Sequence, residues 1–371
     1  MPTLVQIGAG NIGRGFIAEL FHLAGWRVTF VEVAPALLGA LRERGRYRVI
    51  AVDSSSEQVQ EIGPVTAIDG RDQAAVADAL AGCDLAATSV GLGALPRLGG
   101  AMAAALLARR APLDVLVCEN GAQAHSVLRE SVRTSLPEDR RDQADTRLGC
   151  VRTSIGRMIP APPPGADALD IRVEPYRHLP VERAAFRGLL PELPDLDCVS
   201  DFDLVLRQKL YLHNLTHAVL AYGGHLAGCA TIPDCVERPA LAERAQAAGI
   251  EACAALAKAH GDAAGAASRA LLADLLRRYA NRQLADPVAR VARDPWRKLA
   301  HDDRLIGAAR FCLAHGITPR AIAAAIGQAL RYAAAEDEPD AARWNALAPA
   351  ERLRAAAGLA EDDPLLALCL K

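Results

Sequence analysis

A chain of 371 residues, about half of them apolar, is long enough for two hydrophobic cores, and a formal net charge of −2 supplies no basic footprint for nucleic acid. No uninterrupted apolar run is long enough to cross a bilayer, and no secretory signal is expected ahead of the first strand. Nine cysteines, odd in number and without a C-x-x-C pair, read as reduced thiols of a cytoplasmic protein and not as disulfides or a zinc site.

In chain order, Thr3-Leu-Val-Gln-Ile7 reads as a short apolar strand, followed by Gly8-Ala9-Gly10-Asn11-Ile12-Gly13 and a helix expected to run to about Leu23. This is G-x-G-x-x-G between a strand and a helix. Gly8 permits the tight turn, Gly10 lets a pyrophosphate approach the backbone, and Gly13 allows close helix–strand packing. The free amides at the helix start complement phosphate charge. Residues 26–32 read as the second strand, ending in Glu32. A carboxylate there suits the ribose hydroxyls of NAD and repels the 2′-phosphate of NADP, although a strand-end glutamate is also commonly just solvated. Gly8, Ala9, Gly10, Asn11, Ile12, Gly13 and Glu32 are therefore expected to hold NAD.

Further strands are expected at 47–53, 59–68, 85–89 and 115–118, with 148–154 and 168–174 extending the sheet. Apolar β-rich runs alternate there with helical ones, as in a parallel, doubly wound α/β sheet of Rossmann type. Pro160-Ala161-Pro162-Pro163-Pro164 can only be a turn or extended loop. Ligands of open α/β sheets bind beyond the carboxyl ends of the strands. That adds Ser89, Val90 and Glu119 to the cofactor set and places Asn120 near the nicotinamide, where its amide suits a developing alkoxide. Asn120-Gly121 is equally ordinary turn chemistry.

Beyond about Asp201 the strand pattern disappears. Helical runs at 201–223, 239–260, 265–281, 298–315 and 317–335 predict an all-helical C-terminal domain, dividing the chain into 1–195 and 196–371. The first run carries Lys209-x4-Asn214-x2-His217. At roughly 100° per residue a uniform α-helix sets these three within an arc of about 140°, so they can converge on one small ligand. Apolar surroundings lower a lysine pKa, and a neutral amine accepts a proton near neutral pH. The trio describes proton transfer at an alcohol or ketone carbon with no metal. His213 and His217 imitate a metal pair, but no carboxylate or third ligand accompanies them as H-E-x-x-H requires, so His213 is expected to be a packed residue. Arg290, Arg293, Arg297, Lys298 and Arg304 gather around Trp296. Such a set suits a phosphate dianion, or is a solvated face partly neutralised by Asp294, Asp302 and Asp303.

Taken together, the run from Ile7 to Phe16, the Cys118-Glu119-Asn120 loop, the Lys209/Asn214/His217 run and Arg293-Asp-Pro-Trp-Arg-Lys-Leu299 resemble the polyol-specific long-chain dehydrogenases. The likeness covers nearly the whole chain, from Leu4 to beyond Arg331; the lysine run is specific to that family and the glycine run generic. The resemblance implies a Rossmann-type domain followed by a helical substrate domain, NAD as cofactor, no zinc, and interconversion of mannitol 1-phosphate with fructose 6-phosphate. It points to Arg297 and Lys298 as the phosphate pair, because the match to the phosphate-using branch is densest there. Arg157 is a further expected substrate contact, but relatives usually carry Asp-Arg where this chain has Gly156-Arg157. That departure keeps an unphosphorylated polyol, or a hexonate such as mannonate or altronate, open as the substrate. A non-catalytic NAD-sensing module is the reading from another class, and the intact lysine run argues against it. The expected partner is a small sugar phosphate or polyol, with no nucleic acid or membrane, and the chain is expected to act as a monomer or small homo-oligomer.

Overall fold

The computed structural model describes every residue except Ala122, Ala161, Pro163, Pro164, Glu361 and Lys371, so the expected proline loop lies partly outside the described residues. The chain forms two compact units, Met1–Phe202 and Asp203–Lys371.

The first unit is built on a six-stranded parallel sheet. Side by side lie Val65–Asp69, Arg27–Glu32, Thr3–Ile7, Leu85–Thr88, Leu113–Val117 and Leu148–Arg152. Counted in chain order, these strands read three-two-one-four-five-six, the order of a dinucleotide-binding sheet. Strands covered on both faces must be apolar throughout, and Leu85–Thr88 and Leu113–Val117 are buried at every position. Successive residues feed opposite cores: Leu4, Phe30 and Leu116 join Phe16, Ile17 and Phe21 on one face, while Val5, Val31 and Val115 join Met102, Leu106 and Leu128 on the other. The strand order reverses between Thr3–Ile7 and Leu85–Thr88, so the loops that follow these strands face each other.

Two strand expectations need correction. The run 59–68 is two strands, Glu57–Ile62 and Val65–Asp69, broken at Gly63-Pro64, because proline has no N–H to give a ladder. Glu57–Ile62 exposes all but its last residue, so it cannot serve inside a sheet covered on both faces. It pairs antiparallel with Tyr47–Val52, and Ile171–Val173 adds to the other edge of Tyr47–Val52. Residues 168–174 therefore build a separate three-stranded sheet and do not extend the main one.

Among the described residues of the second unit the named elements are all helices. Phe202–Gln208 leads into a π-helical turn, Lys209–Asn214, and then the α-helix Leu215–Leu226. That α-helix is apolar on nearly every side, as a helix at the centre of a core must be. Pro239–His260, Val288–Ala292 and Arg320–Ala329 pack against it. The helix expected over 298–315 is interrupted. A short helix, Pro295–Lys298, is capped by the Asp294 side chain, and the next begins only at Ile306. Three further helices, Ala341–Ala346, Pro349–Ala357 and Pro364–Cys369, lie beyond the expected set.

Candidate active site

At the end of the first strand, Gly8 takes a φ of +90°, and a Cβ there would stand 2.5 Å from Ser89 O. A Cβ on Gly13 would collide with Gly8 O. Both glycines are required by the protein's own packing. Gly10 differs, because a Cβ there would meet nothing within 4 Å. Its backbone faces open space at the start of a helix, which fits a pyrophosphate. Asn11 is exposed beside it, and Ile12 is half-buried against the core.

Carboxylates knit the rim of this loop. Glu32 Oε2 accepts the Ala9 N–H at 2.9 Å, while Oε1 accepts from Val33 and Ala34 at 2.7 and 2.8 Å. The carboxylate expected to meet the ribose thus stands against the glycine turn. Glu119 accepts the N–H groups of Val90 and Gly91, each at 2.8 Å, and ties the loops after the fourth and fifth strands together. Gln6 Nε2 bridges Gly8 O and Ser89 Oγ at 3.1 and 3.0 Å. Ser89, Val90 and Glu119 are therefore gathered with the glycine loop. Asn120 is exposed, on a turn whose Gly121 is packed so closely that a Cβ would stand 2.6 Å from Leu92 Cδ2. One contributor had no recognisable signal: the buried Arg14 guanidinium donates to Ala9 O and to Leu169 O, both at 2.6 Å, stapling the glycine loop to a distant segment.

In the helical unit, the lysine run is not a uniform α-helix. Leu215 N–H reaches back five residues to Leu210 O. Such i→i+5 bonding widens the turn, so that residues five apart lie nearly over one another, and Lys209 and Asn214 are five apart. The arc estimated for an α-helix is thus replaced by closer alignment. Tyr279 OH donates to His213 O at 2.8 Å and lies 3.3 Å from Thr216 Oγ1. Its ring stacks on His217, with centroids 4.9 Å apart and planes 10° from parallel. Lys209, His213, Asn214 and His217 are all half-buried.

Burial holds the His213 imidazole well below its usual pKa, and its neighbours His217, Arg278, Lys209 and Arg304 disfavour its charged form further. His217 is also lowered by burial, with the Asp286 carboxylate opposing. Both rings are therefore neutral near pH 7. Asp286 Oδ2 lies 3.3 Å from His217 Nε2, and both Asp286 oxygens accept from Arg290 at 2.6 Å. Burial disfavours the Asp286 carboxylate, yet His217 and Arg290 hold its pKa below the usual value. Neither Asp286 nor Tyr279 stands out in the sequence; the i,i+4 spacing of Asp286 and Arg290 is the only local hint.

The expected phosphate pair separates. Arg297 is clasped by Asp294 at 2.7 Å and faces Asp303 at 3.6 Å. Lys298 is buried, and desolvation, with help from Arg304 and Arg297, pushes its amine down to about 7. Neighbouring helical residues point roughly 100° apart, so the two do not form a fork. Arg304 is the stronger positive neighbour of Lys298, and its field also reaches His213 and His217. The rest of the motif is structural, since Arg293 bonds Asp337 and Trp296 packs edge-on against Trp344. Arg157 likewise lies inside the first unit. Its buried guanidinium pairs with Glu19 and donates to Glu174 O and Gly15 O at 2.8 and 2.9 Å. These partners hold the guanidinium within the first unit, while its Nη2 is buried without a hydrogen-bond partner among the described residues. At Gly156 a Cβ would stand 3.2 Å from the Tyr176 ring, so a larger residue there requires that ring to yield.

Comparison with known proteins gives the same two-part division. Residues 2–195 match the mannitol dehydrogenase Rossmann domain and residues 202–368 the mannitol dehydrogenase C-terminal domain. The mannitol-1-phosphate 5-dehydrogenase of Brevibacillus brevis is 36% identical over 342 residues, covering 91% of this chain and 88% of that protein. The enzyme of the same name from Bacillus licheniformis is 34% identical over 378 residues, covering 99% and 98%. Among solved structures, Pseudomonas fluorescens mannitol 2-dehydrogenase in ternary complex with NAD and D-mannitol superposes with a TM-score of 0.76 at 16% identity, covering 100% of this chain and 90% of the other. Substrate-free D-sorbitol dehydrogenase gives 0.79 at 16%, covering 100% and 92%. At that identity the two structures speak for the fold.

The contrast between the glycines yields a test. Gly13→Ala should destabilise the protein by about 1–3 kcal/mol, as overpacking does, and should lower its Tm. Gly10→Ala should leave Tm unchanged while raising the Kd for NADH about tenfold or more, which a thermal melt paired with a fluorescence titration would read. Unaltered NADH affinity in Gly10→Ala would remove the phosphate from this loop.

Proposed function

The chain belongs to the mannitol dehydrogenase family, and on that premise we propose that it interconverts mannitol 1-phosphate and fructose 6-phosphate with NAD(H), using Lys209 as the acid–base group. The observation that carries the reaction is the full-length similarity to two mannitol-1-phosphate 5-dehydrogenases. The residue roles rest on the π turn that aligns Lys209 with Asn214 beside His217.

When bound, the nicotinamide supplies or accepts the hydride. The chain supplies placement and proton transfer. In the oxidising direction Lys209 takes the proton of the substrate hydroxyl; in the reducing direction it returns one. Asn214 donates its amide to the same oxygen, and Asn120 is proposed as a second amide donor as charge develops there. His217, neutral and half-buried, orients a neighbouring hydroxyl. Gly10 admits the pyrophosphate, Gly8 and Gly13 give the loop its shape, and Ser89, Val90 and Glu119 shape the same rim. Glu32, at the end of its strand, selects NAD over NADP by repelling a 2′-phosphate. For the substrate's phosphate, Lys298 is the proposed central cation, with Arg297 and Arg304 beside it, the first clasped by Asp294 and the second by Asp303. All nine cysteines are free, and all but Cys198 are buried; thiols of that kind suit a reducing compartment, and the cytoplasm is the proposed location.

Three tests follow from these assignments. Lys209→Ala should retain NADH binding while turnover falls by about 10²–10⁴-fold, the usual contribution of a placed acid–base group. Near-normal turnover in that variant would take Lys209 out of the mechanism. Lys298→Met should raise KM for fructose 6-phosphate by roughly one to two powers of ten, the worth of a charged hydrogen bond, and leave unphosphorylated fructose almost untouched. The pH dependence has a definite sign. With the Lys298 pKa lowered to about 7 by burial, the amine is cationic below that value and neutral above it. KM for fructose 6-phosphate should therefore climb as pH rises through about 7, and Lys298→Arg should flatten the climb. A pH-independent KM in the unmodified enzyme would contradict the Lys298 assignment.

A further inference from the structure

His217 has two ring nitrogens, and its chemistry depends on which one carries the proton. Nε2 is buried and makes no well-aligned hydrogen bond, and the nearest carboxylate oxygen, Asp286 Oδ2, lies 3.3 Å away and acts on it through its charge. A carboxylate repels a lone pair and attracts an N–H, so the neutral ring is favoured with its proton on Nε2. Nδ1 is then left with the lone pair. The Tyr279 ring, stacked on the imidazole, fixes the plane in which that lone pair points. We propose that Asp286 is a positioning residue for the reaction: its carboxylate holds His217 as the Nε2–H tautomer and so makes Nδ1 an acceptor for a substrate hydroxyl.

The backbone around Asp286 is set up for placement. Ala285, immediately before it, takes a φ of +44°, a left-handed conformation that an alanine adopts only when its surroundings impose it. Asp286 O accepts Ile232 N–H at 2.9 Å, and Pro287 bridges to Thr231, so the chain is pinned on both sides of the carboxylate. Other charged and titratable groups whose fields reach this corner include Arg290 on the helix Val288–Ala292 and Arg304, with Lys209 and Arg278 acting on the neighbouring His213. Arg290 is half exposed and bonds both Asp286 oxygens, whereas Asp286 itself is 7% exposed. The arginine thus keeps the acid ionised and aimed, and the acid in turn aims the imidazole. The same geometry explains how His217 can be buried, neutral and still specific: it accepts from a hydroxyl and has no second proton to offer.

The inference rests on His217 as a substrate contact, and the test separates the two. Long-range ¹H–¹⁵N NMR on the full-length protein at neutral pH should show His217 as the Nε2–H tautomer; the Nδ1–H tautomer or an imidazolium would overturn the proposal, with no variant needed. Asp286→Asn should lower kcat/KM for fructose 6-phosphate by about 10²-fold, the scale of a misplaced group, while NADH affinity is retained. In a His217→Ala background the same substitution should cost less than about twofold, since the group it positions is gone. An equal loss in both backgrounds would make Asp286 structural only. If Lys209→Ala kept its turnover, the catalytic reading would fall while the His217 tautomer stood or fell by its own spectrum.

Discussion

A π turn buried in a helical core exists only if the backbone groups it displaces find other partners, and here the hydroxyl of Tyr279 is one of them. It donates to His213 O at 2.8 Å. Without that hydroxyl the carbonyl would keep the longer 3.4 Å contact from Thr216 Oγ1, a loss on the scale of one hydrogen bond, about 0.5–1.5 kcal/mol, which would favour relaxation to an ordinary α-helix. Relaxation would draw Lys209 and Asn214 out of alignment, because residues five apart are stacked by a π turn and splayed by an α turn. The same tyrosine ring lies flat against His217. One side chain from the helix Asp262–Tyr279 therefore touches both the wide turn that carries the amine and amide and the face of the imidazole.

The two units use charge differently. Around the glycine loop, carboxylates serve backbone amides: Glu32 and Glu119 accept from N–H groups of the loops they fasten. Anions placed this way shape a rim without neutralising the helix start, where the dinucleotide phosphate is proposed to sit. In the helical unit, carboxylates serve guanidinium groups: Asp286 holds Arg290, Asp294 holds Arg297 and Asp303 holds Arg304. Lys298 is the basic residue of this set that burial pushes toward neutrality. A group poised in that way gains a proton and an anionic ligand together, so the phosphate recognition proposed for it would be linked to pH.

Local chemistry was legible in the sequence, and distant pairing was not. The strand Thr3–Ile7 and the helix Pro239–His260 lie where the residues placed them, because an apolar run ending in glycine and a long alanine-rich helical stretch each carry their own signal. The run 59–68 misled because two strands of different sheets abut at Gly63-Pro64, and hydrophobicity alone does not reveal a change of partner. Residues 168–174 have strand character, but nothing in them specifies Tyr47–Val52 as the neighbour. Lys209, Asn214 and His217 were evident as a spacing, whereas the π turn that gives the spacing its meaning depends on Tyr279, some 60 residues further along. Arg297 and Lys298 looked equivalent as adjacent cations; burial and the reach of Asp294 distinguish them, and neither is a property of the sequence.

The central claim is that this lysine-centred enzyme of the mannitol dehydrogenase family recognises a phosphorylated hexose. The most direct test is an NADH-oxidation assay of the purified protein that compares kcat/KM for fructose 6-phosphate, fructose, fructuronate and tagaturonate under identical conditions. The account predicts the highest value for fructose 6-phosphate, exceeding fructose by at least about tenfold as a charged phosphate contact requires. A higher value for fructose or for either hexuronate would contradict it.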